Sequence, residues 1–470
     1  MAGMRFWRSQ RVAGSLLVSC VGFSLVSPLT WVLQTGRLYR AAPKAFHEDW
    51  WLWVPIVSTV AGMLSIRCCQ KKRIEGTVSS TTSAEQETSS LVMSWSLVIV
   101  WLAFFCDYVL MFMAIPIFPT LGKNDVMTGC LFSAKACFQI LSAPLMTKWV
   151  DHYGKFMLLG GLLAETISSV IFMLTHEYGT WLCARAISGV ASAAIMSSGL
   201  SHLSKRHTKS EERAVVMGCA TTGILSGTCI GPVMGGILHE ISPSLPFLTL
   251  AVLETAVIML ILLFLPTLKG EQTSGGGEGA STCELLQNRD VLRFLGILVV
   301  TNFGCGCVEG TIARHLHLKF GLSAGAQGRF YLLLAVSSVI FSAMSGDLGN
   351  RLGRIKVIRF GLLLQGISTL MGASPSIITS AIAFCITGVG IGLIDGATPS
   401  LLGDTVTKHF GETGRIYVMS NTCVQLGFLF GPMMGNIIVA SLGYGVCCMI
   451  AGSLMIWYSA HLGRYVRHVE

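Results

Sequence analysis

Charged residues are scarce in this chain. Lys, Arg, Asp and Glu make up 12% of its 470 residues, whereas 52% of the residues are hydrophobic. Soluble domains carry about a quarter of their residues as charged side chains, so this composition argues against a soluble globular protein. The chain is long enough for about a dozen membrane-spanning helices of roughly 20 residues each. We therefore predict an all-α membrane protein.

The sequence also lacks the motifs of the common enzyme classes. It contains no Gly-x-x-x-x-Gly-Lys-Ser/Thr loop, no His-Glu-x-x-His and no Gly-x-Ser-x-Gly in a strand context. The 16 cysteines show no metal-ligand spacing, and His315 with His317 forms only a two-residue His-x-His. The net charge of +9 lies in short loops without an aromatic and basic stripe. We predict neither an enzyme nor a metal site, cofactor or nucleic-acid partner.

The apolar runs divide the chain into an extension, two halves and a linker. The extension covers residues 1–92, with apolar segments 11–33 and 50–66; a targeting segment, extra spanning helices and a gene-model artefact all stay open. The other parts are a six-helix half at 93–268, a cytosolic linker at 269–288 and a six-helix half at 289–470. Twelve spans are expected near 94–120, 127–149, 156–175, 180–202, 213–238, 246–266, 291–313, 326–348, 355–373, 376–402, 415–440 and 443–463.

Loop charges predict the orientation of these spans. Lys and Arg concentrate in the loops after the even-numbered spans, and the alternate loops contain only Lys123, Arg314, Lys319 and Arg329. Because cytoplasmic loops of membrane proteins carry the excess of basic residues, both ends of the twelve-span body are expected in the cytosol.

Five charged residues interrupt the apolar runs deep within the expected spans: Asp107, Lys135, Arg185, Glu309 and Asp395. A charge in lipid is costly, so such residues usually face the interior of a helix bundle and mark an ion or substrate path. A buried carboxyl group can exchange a proton for an organic cation. The pattern predicts a transporter.

The two halves are related by an internal repeat with an offset of about 200 residues. Span 5 contains a Gly- and Pro-rich stretch that recurs in span 11, and the residues of this stretch are Gly227, Gly231, Pro232, Gly235 and Gly236, matched by Gly427, Gly431, Pro432, Gly435 and Asn436. The loop Asp151–Lys155 likewise matches Asn350–Arg354. Duplicated halves are typical of secondary transporters, whose site lies between the halves near the midplane.

These two motifs resemble those of the major facilitator superfamily. The stretch around Pro232 is similar to its antiporter motif, in which proline bends the helix. The loop Gly346-x-Leu348-x-x-Arg351-x-Gly353-Arg354 is similar to its signature loop between helices 2 and 3 of each half. The resemblance implies a cytosolic gate, with a solvated loop as the alternative, formed by Asp151, Gly154, Asp347, Arg351, Gly353 and Arg354.

Further segments resemble the vesicular amine transporter family, which carries monoamines, acetylcholine or polyamines. The resemblance extends over about 93–463 and is carried by Asp107–Leu110, Ile115–Pro119, Leu131–Lys135, Ala184–Gly189, Asn302–Glu309 and Gly392–Asp395. It implies that Asp107 and Glu309 face a cationic amine. It also implies that Lys135, Arg185 and Asp395 serve proton coupling and gating.

The chain departs from this family at two places. Asn421 in span 11 stands where the family has an acidic partner of the span 2 lysine, so a role of Asn421 in coupling is part of the expectation. The family's long loop after span 1 is reduced here to Leu121–Asp125.

Alternatives stay open at several of these residues. Lys135 is expected to pair with Asp107 or Asp395. For Asp107 the alternative to a substrate contact is a structural ion pair with Lys135 or Arg185, and for Asp395 the alternative to a proton carrier is a hydrogen-bonded structural role. Arg185 is expected to hold a carboxylate, with helix carbonyls as the alternative, and Glu309 could instead pair with Arg314. Glu165 and Glu254 are assigned structural roles or positions at the lipid edge, because no motif includes them.

We predict a major facilitator fold with two pseudo-symmetric six-helix bundles. The expected function is proton-coupled antiport of a small organic cation by alternating access, with protons as the coupling ion. A general proton-driven drug or metabolite exporter and a non-transporting binding protein are the alternatives. We expect a monomer in the lipid bilayer, multi-pass, in a vesicular, vacuolar or plasma membrane.

Overall fold

The structure, a computed structural model, describes residues 95–118, 124–206, 210–265, 282–374, 376–410 and 415–469. The expected apolar segments 11–33 and 50–66 lie outside these residues. The described part of the chain is all-helical and contains 12 segments long and apolar enough to cross a membrane. The predicted fold class, with its two sets of six spans, is confirmed.

The helices follow the expected spans closely. The first half contains spans 1 to 6 in helices Trp95–Met113, Asp125–Leu174, Tyr178–Arg206, Ser210–Ile241 and Leu245–Phe264. The second half contains spans 7 to 12 in helices Arg289–Phe320, Ala324–Leu352, Arg354–Gly372, Ile377–Phe410, Arg415–Leu442 and Tyr444–Val469. A short helix, Thr282–Gln287, precedes span 7 and lies inside the segment 269–288 that was predicted to be a linker.

Spans 2 and 3 belong to one helical element of 50 residues, Asp125–Leu174. A straight helix of that length would extend about 75 Å, more than twice the hydrocarbon thickness of a bilayer. The element therefore turns back between its spanning arms Asp125–Val150 and Tyr153–Leu174. Tyr178, just past its end, donates a hydrogen bond to the carbonyl of Met127 at 3.1 Å. The break between the two arms falls at residues 151–152, where the loop Asp151–Lys155 was predicted to begin.

Apolar side chains cover both the interior and the outer surface of this bundle. Leu248, Val252 and Leu263 on span 6 are exposed, as is Trp457 on span 12, which suits helices that face lipid. Each half has its own apolar core. A third cluster joins the halves and combines residues such as Phe112 with Phe428, whose rings meet edge to face with centroids 5.9 Å apart.

The Gly and Pro residues of the repeated motif pack span 5 and span 11 closely against their neighbours. Gly227 lies against the backbone of span 1 at Phe105, and Gly427 lies against span 7 at Asn302, so these two glycines serve contacts within each half, whereas Gly236 lies against Ala324 of the second half. The prolines lie at contacts between the halves. A Cβ at Gly129 would lie 2.8 Å from the carbonyl oxygen of Pro432.

The same contact is repeated on the other side of the interface. A Cβ at Gly328 would lie 2.8 Å from the carbonyl oxygen of Pro232. The two contacts are related by the internal repeat. The helices therefore approach each other closely at symmetric positions where the two halves would have to move.

Gly227→Ala is expected to destabilise the protein by roughly 1–3 kcal/mol, since the added Cβ would lie 2.6 Å from the carbonyl oxygen of Phe105 and overpack the contact. Gly218→Ala on the same helix is the matched control, because no heavy atom lies within 4 Å of its added Cβ. The control should be neutral or up to about 1 kcal/mol more stable. Thermal unfolding in detergent checks both; equal stabilities would contradict the close packing.

The halves meet at the end of the bundle where span 2 begins and span 7 ends. Asp125 forms an ion pair with Arg314 at 2.8 Å. Glu240 at the end of span 5 accepts a hydrogen bond from the backbone N–H of Gly325 at the start of span 8. These contacts close the bundle at the end opposite the basic loops.

Arg354, at the basic end of the bundle, forms an ion pair with Asp404 and donates a hydrogen bond to the carbonyl of Ser400. Gly353 has a φ of +94°, which glycine adopts without strain, and it follows the last residue of span 8, Leu352. Asp347 and Arg351 are exposed. Because Arg354 and Asp404 both belong to the second half, this pair does not join the halves. The gate role of the loop residues stays a prediction.

Candidate functional site

Asp107 and Lys135 form a fully buried ion pair in the first half. Lys135 Nζ lies 2.6 Å from Asp107 Oδ1 and also donates to the backbone carbonyl of Asp107 at 3.0 Å. Ser192 Oγ donates to Asp107 Oδ2 at 2.7 Å. Both carboxylate oxygens therefore have donors, and the two charged side chains are 0% and 1% exposed. Of the two partners expected for Lys135, the structure selects Asp107.

Arg185 lies among aromatic rings rather than against a carboxylate. Its guanidinium carbon is 4.8 Å from the ring centroid of Phe118 and 5.5 Å from that of Phe172, and its terminal nitrogen donates to the carbonyl of Met111 at 3.4 Å. No carboxylate within the described ranges lies at ion-pair distance. The expectation that Arg185 holds a carboxylate is wrong here, because cation–π contacts and a helix carbonyl take that place.

Glu165 and Glu254 are fully buried in the first half, each with 0% exposure. The alternative that these residues lie at the lipid edge is therefore wrong. Glu254 accepts a hydrogen bond from Ser169 at 3.2 Å. Sequence reasoning gave neither glutamate a functional role, because they belong to no motif. Their position inside apolar runs was the feature that could have identified them as buried acids.

Glu309 on span 7 lies where two cavities meet. The first cavity lies within the second half and is lined by Glu309 with, among others, Gln365, Thr369, Thr387 and Tyr444. The second lies between the halves, where Phe112 and Phe132 of the first half face Glu309 and Phe428 of the second. Glu309 is only partly buried.

The carboxylate of Glu309 has no cationic side chain at ion-pair distance among the residues that the structure describes. Arg314, the alternative partner, is paired with Asp125. Two polar atoms of the cavity within the second half are buried and lack hydrogen-bond partners: Gln365 Oε1 and Tyr444 Oη. The unpaired carboxylate of Glu309 thus lies between a cavity with oxygen acceptors and a cavity lined by aromatic rings from both halves, and these are the groups that bind organic ammonium ions.

Asp395 lies near the middle of span 10 and is exposed, as are Pro399 and Asp404 toward the basic end of the same helix. Ile391, one turn earlier on the same helix, packs on the apolar cluster that joins the halves. Asp395 therefore faces the space between the halves. Asn421 is half-buried on span 11. The structure does not bring Asn421 to Lys135, which is bound to Asp107.

The aromatic lining of this site was missed by sequence reasoning. Phe112, Phe132, Phe428 and Tyr444 come from four different spans and belong to no local motif. His315 of the His-x-His stacks on Tyr444 with ring centroids 4.0 Å apart. No group of three or more His, Cys, Asp or Glu side chains suited to a metal occurs among the described residues.

Comparison with known families decides the assignment of the fold. The sequence matches the model of the Major Facilitator Superfamily at residues 100–308 and again at 294–462, so the two matches run from span 1 into span 12. The chain belongs to the major facilitator superfamily. As a superfamily member it is grouped with multi-pass membrane transporters rather than enzymes, as predicted.

Curated relatives of this superfamily member are vesicular transporters. The chain is 26% identical to the human synaptic vesicular amine transporter over 342 residues, 72% of this chain and 66% of the relative. It is 28% identical to the human chromaffin granule amine transporter over 74% of this chain and 66% of the relative. A probable vesicular acetylcholine transporter-B of Danio rerio is 26% identical over 78% of each chain. The chain thus spans 66% of the length of the two human relatives.

Solved structures of other transporters share the fold of this superfamily member. The human organic anion transporter MFSD10 (TETRAN) matches with a TM-score of 0.61 at 16% identity, over 78% of this chain and 99% of that one. A bacterial homolog of the human lysosomal transporter Spinster, inward-facing and occupied, matches with a TM-score of 0.59 at 15% identity, over 81% of this chain and 97% of that one. These likenesses concern the fold alone.

Proposed function

We propose that this protein exchanges protons for a small organic cation by alternating access. The observation that carries the proposal is the unpaired carboxylate of Glu309 in a space lined by aromatic rings from both halves. A carboxylate supplies the counter-charge of an ammonium group, and aromatic faces attract it further when water is excluded. The resemblance to vesicular amine and acetylcholine transporters supports the same class of substrate.

Charge competition provides the coupling. Asp107, Glu309 and Asp395 are carboxylates that can each hold a proton or face a cation, and only Asp107 has a cationic partner at ion-pair distance in the described structure. Binding of a cation beside these groups disfavours a proton at the same place, because like charges repel in a low-dielectric interior. A proton gradient then drives the cation against its own gradient. Lys135 and Arg185, the two buried cations of the first half, serve this proton coupling and the gating of the two ends.

The contacts between the halves support the assignment of this structure to one conformational state of the transport cycle. The Asp125–Arg314 pair and the Glu240–Gly325 hydrogen bond close one end, whereas Asp395 is exposed toward the basic end. The positive-inside rule assigns the basic end to the cytosol, so this stage is open to the cytosol. The names of the vesicular relatives support a vesicular or vacuolar membrane as the location. The protein would act there as a monomer, and a lumen more acidic than the cytosol would drive the cation inward.

Uptake into proteoliposomes tests this function. Labelled dopamine, spermidine and choline are offered separately, with an inside-acid gradient and after its collapse by a protonophore. We expect uptake of at least one of these cations only while the gradient is present. Flux that ignores the gradient would exclude antiport, and binding without flux would indicate a non-transporting protein.

A further inference from the structure

Glu165 and Glu254 lie on spans 3 and 6 of the first half, and neither lines the cavities at Glu309. Glu165 lies on span 3, one turn before Ser169, and Ser169 Oγ donates to Glu254 Oε1 of span 6 at 3.2 Å. Both glutamates are 0% exposed. Neither oxygen of Glu165 has a hydrogen-bond partner, and Oε2 of Glu254 has none either.

These glutamates belong to one electrostatic cluster with the ion pair of span 1 and span 2. Glu165 lies within interaction range of Asp107, Lys135, Glu254, Arg185 and the thiol of Cys106. Asp107, Glu165 and Glu254 are three acids, whereas Lys135 and Arg185 are two bases. With every group ionised the cluster would carry one uncompensated negative charge in an apolar interior.

The cations of the cluster are already engaged. Lys135 Nζ is 2.6 Å from Asp107, and Arg185 lies against aromatic rings and the carbonyl of Met111. No base among the described residues is within ion-pair distance of either glutamate. A buried carboxylate with neither a cation nor a hydrogen-bond donor is strongly disfavoured relative to its protonated form. The geometry therefore favours one bound proton in the cluster, and Glu165, with no donor at all, is the group that holds it.

We propose that Glu165 is a proton-binding site of the first half and that it accepts Lys135 when an organic cation binds Asp107. In this exchange the incoming cation takes the place of the Lys135 ammonium at Asp107. The O–H bond of Glu165 breaks, its proton leaves to water, and the resulting carboxylate pairs with the displaced ammonium. One positive charge enters and one leaves, so the net charge of the cluster is unchanged.

The fold positions Glu165 to receive the Lys135 ammonium in this exchange. Lys135 and Glu165 lie on the two arms of one helical element. Both hydrogen bonds that Lys135 donates in the described structure go to Asp107. Glu254 is held by Ser169 and is a positioning residue that keeps a second acid beside Glu165. That Asp107 binds the cation rests on the proposed function, whereas the protonation of Glu165 does not.

Infrared difference spectroscopy tests the protonation of Glu165 directly, without any substrate. Reconstituted wild-type protein should show the carbonyl stretch of a protonated buried carboxyl group at neutral pH. Glu165→Gln should remove this band, and Glu165→Asp, which keeps the acid, should shift it. Glu177→Gln is the matched control, since Glu177 is an exposed glutamate at the start of span 4. A band that is the same in wild type, Glu165→Gln and Glu165→Asp would overturn the proposal; if the glutamine variant does not fold, the aspartate variant alone decides.

Proton release on cation binding tests the exchange. Detergent-solubilised protein in weak buffer is mixed with dopamine, spermidine or choline, and an indicator dye reports the protons released per bound cation. Glu165→Gln should release about one proton fewer per cation than wild type, as linkage requires when one titrating group is removed. Equal release would overturn the exchange. If wild type binds none of the three cations, the proposed function fails, and the infrared result still decides whether Glu165 holds a proton.

Discussion

Glu309→Gln is expected to abolish gradient-driven cation uptake. The amide fills the same volume but cannot balance an ammonium charge in the space lined by Phe112, Phe132 and Phe428. Loss of one partner of a desolvated charge pair costs about 2–5 kcal/mol of binding, which is at least about a 30-fold weaker affinity. Initial rates of uptake and equilibrium binding of the transported cation measure the effect.

Two controls keep this result specific to Glu309. Glu177→Gln removes an exposed carboxylate from the other half and should leave uptake unchanged. Glu309→Asp keeps the charge on a shorter side chain and should retain part of the affinity. Wild-type affinity and flux in Glu309→Gln would remove Glu309 from the substrate site, and the proposed function would lose the observation on which it depends.

Lys135→Ala is expected to destabilise the folded protein by roughly 3–5 kcal/mol. The substitution leaves Asp107 as a buried carboxylate without its cation, and an uncompensated buried charge costs far more than the pair contributes. Urea unfolding followed by intrinsic fluorescence, or thermal unfolding in the same detergent, measures the loss of stability.

The double variant Asp107→Asn with Lys135→Ala distinguishes the contribution of the charges to stability from the contribution of side-chain packing. Removal of both charges should recover most of the stability lost in Lys135→Ala, because the remaining amide can still accept the hydrogen bond of Ser192. Asp107→Asn, alone or in the double variant, should still lack cation binding. A double variant no more stable than Lys135→Ala would show that the ammonium acts through packing and not through its charge.

The sequence predicts almost the whole fold, because the long apolar runs identify the membrane spans and the basic loops indicate the cytosolic side. The repeat around Pro232 and Pro432 also indicates that the chain consists of two related halves. The helix contacts of the motif could not be derived in the same way. Glycines at Gly227 and Gly427 pack within a half while the prolines contact the other half, and a linear pattern does not state which neighbour each face meets.

The partners of the buried charges are where sequence reasoning fails. It offers Asp107 and Asp395 equally to Lys135, and the choice depends on side-chain distances that only the folded bundle defines. It assigns Arg185 a carboxylate, since a buried guanidinium usually needs one, yet aromatic rings from spans distant in sequence surround it. Glu165 and Glu254 have no motif and were set aside, although the cost of burying an unpaired carboxylate was a reason to keep them.

The helical element Asp125–Leu174 carries both Lys135 and Glu165 on its two arms. A rocking motion that moves the first half as a rigid body leaves the spacing of the backbone positions of Lys135 and Glu165 constant through the whole cycle, so that only the Lys135 side chain has to move. The one proton that Glu165 exchanges per cation is then a property of a single hairpin, whereas the Asp125–Arg314 contact decides only which compartment is in communication with it. Substitutions in that contact would change turnover and sidedness and would leave this proton exchange untouched.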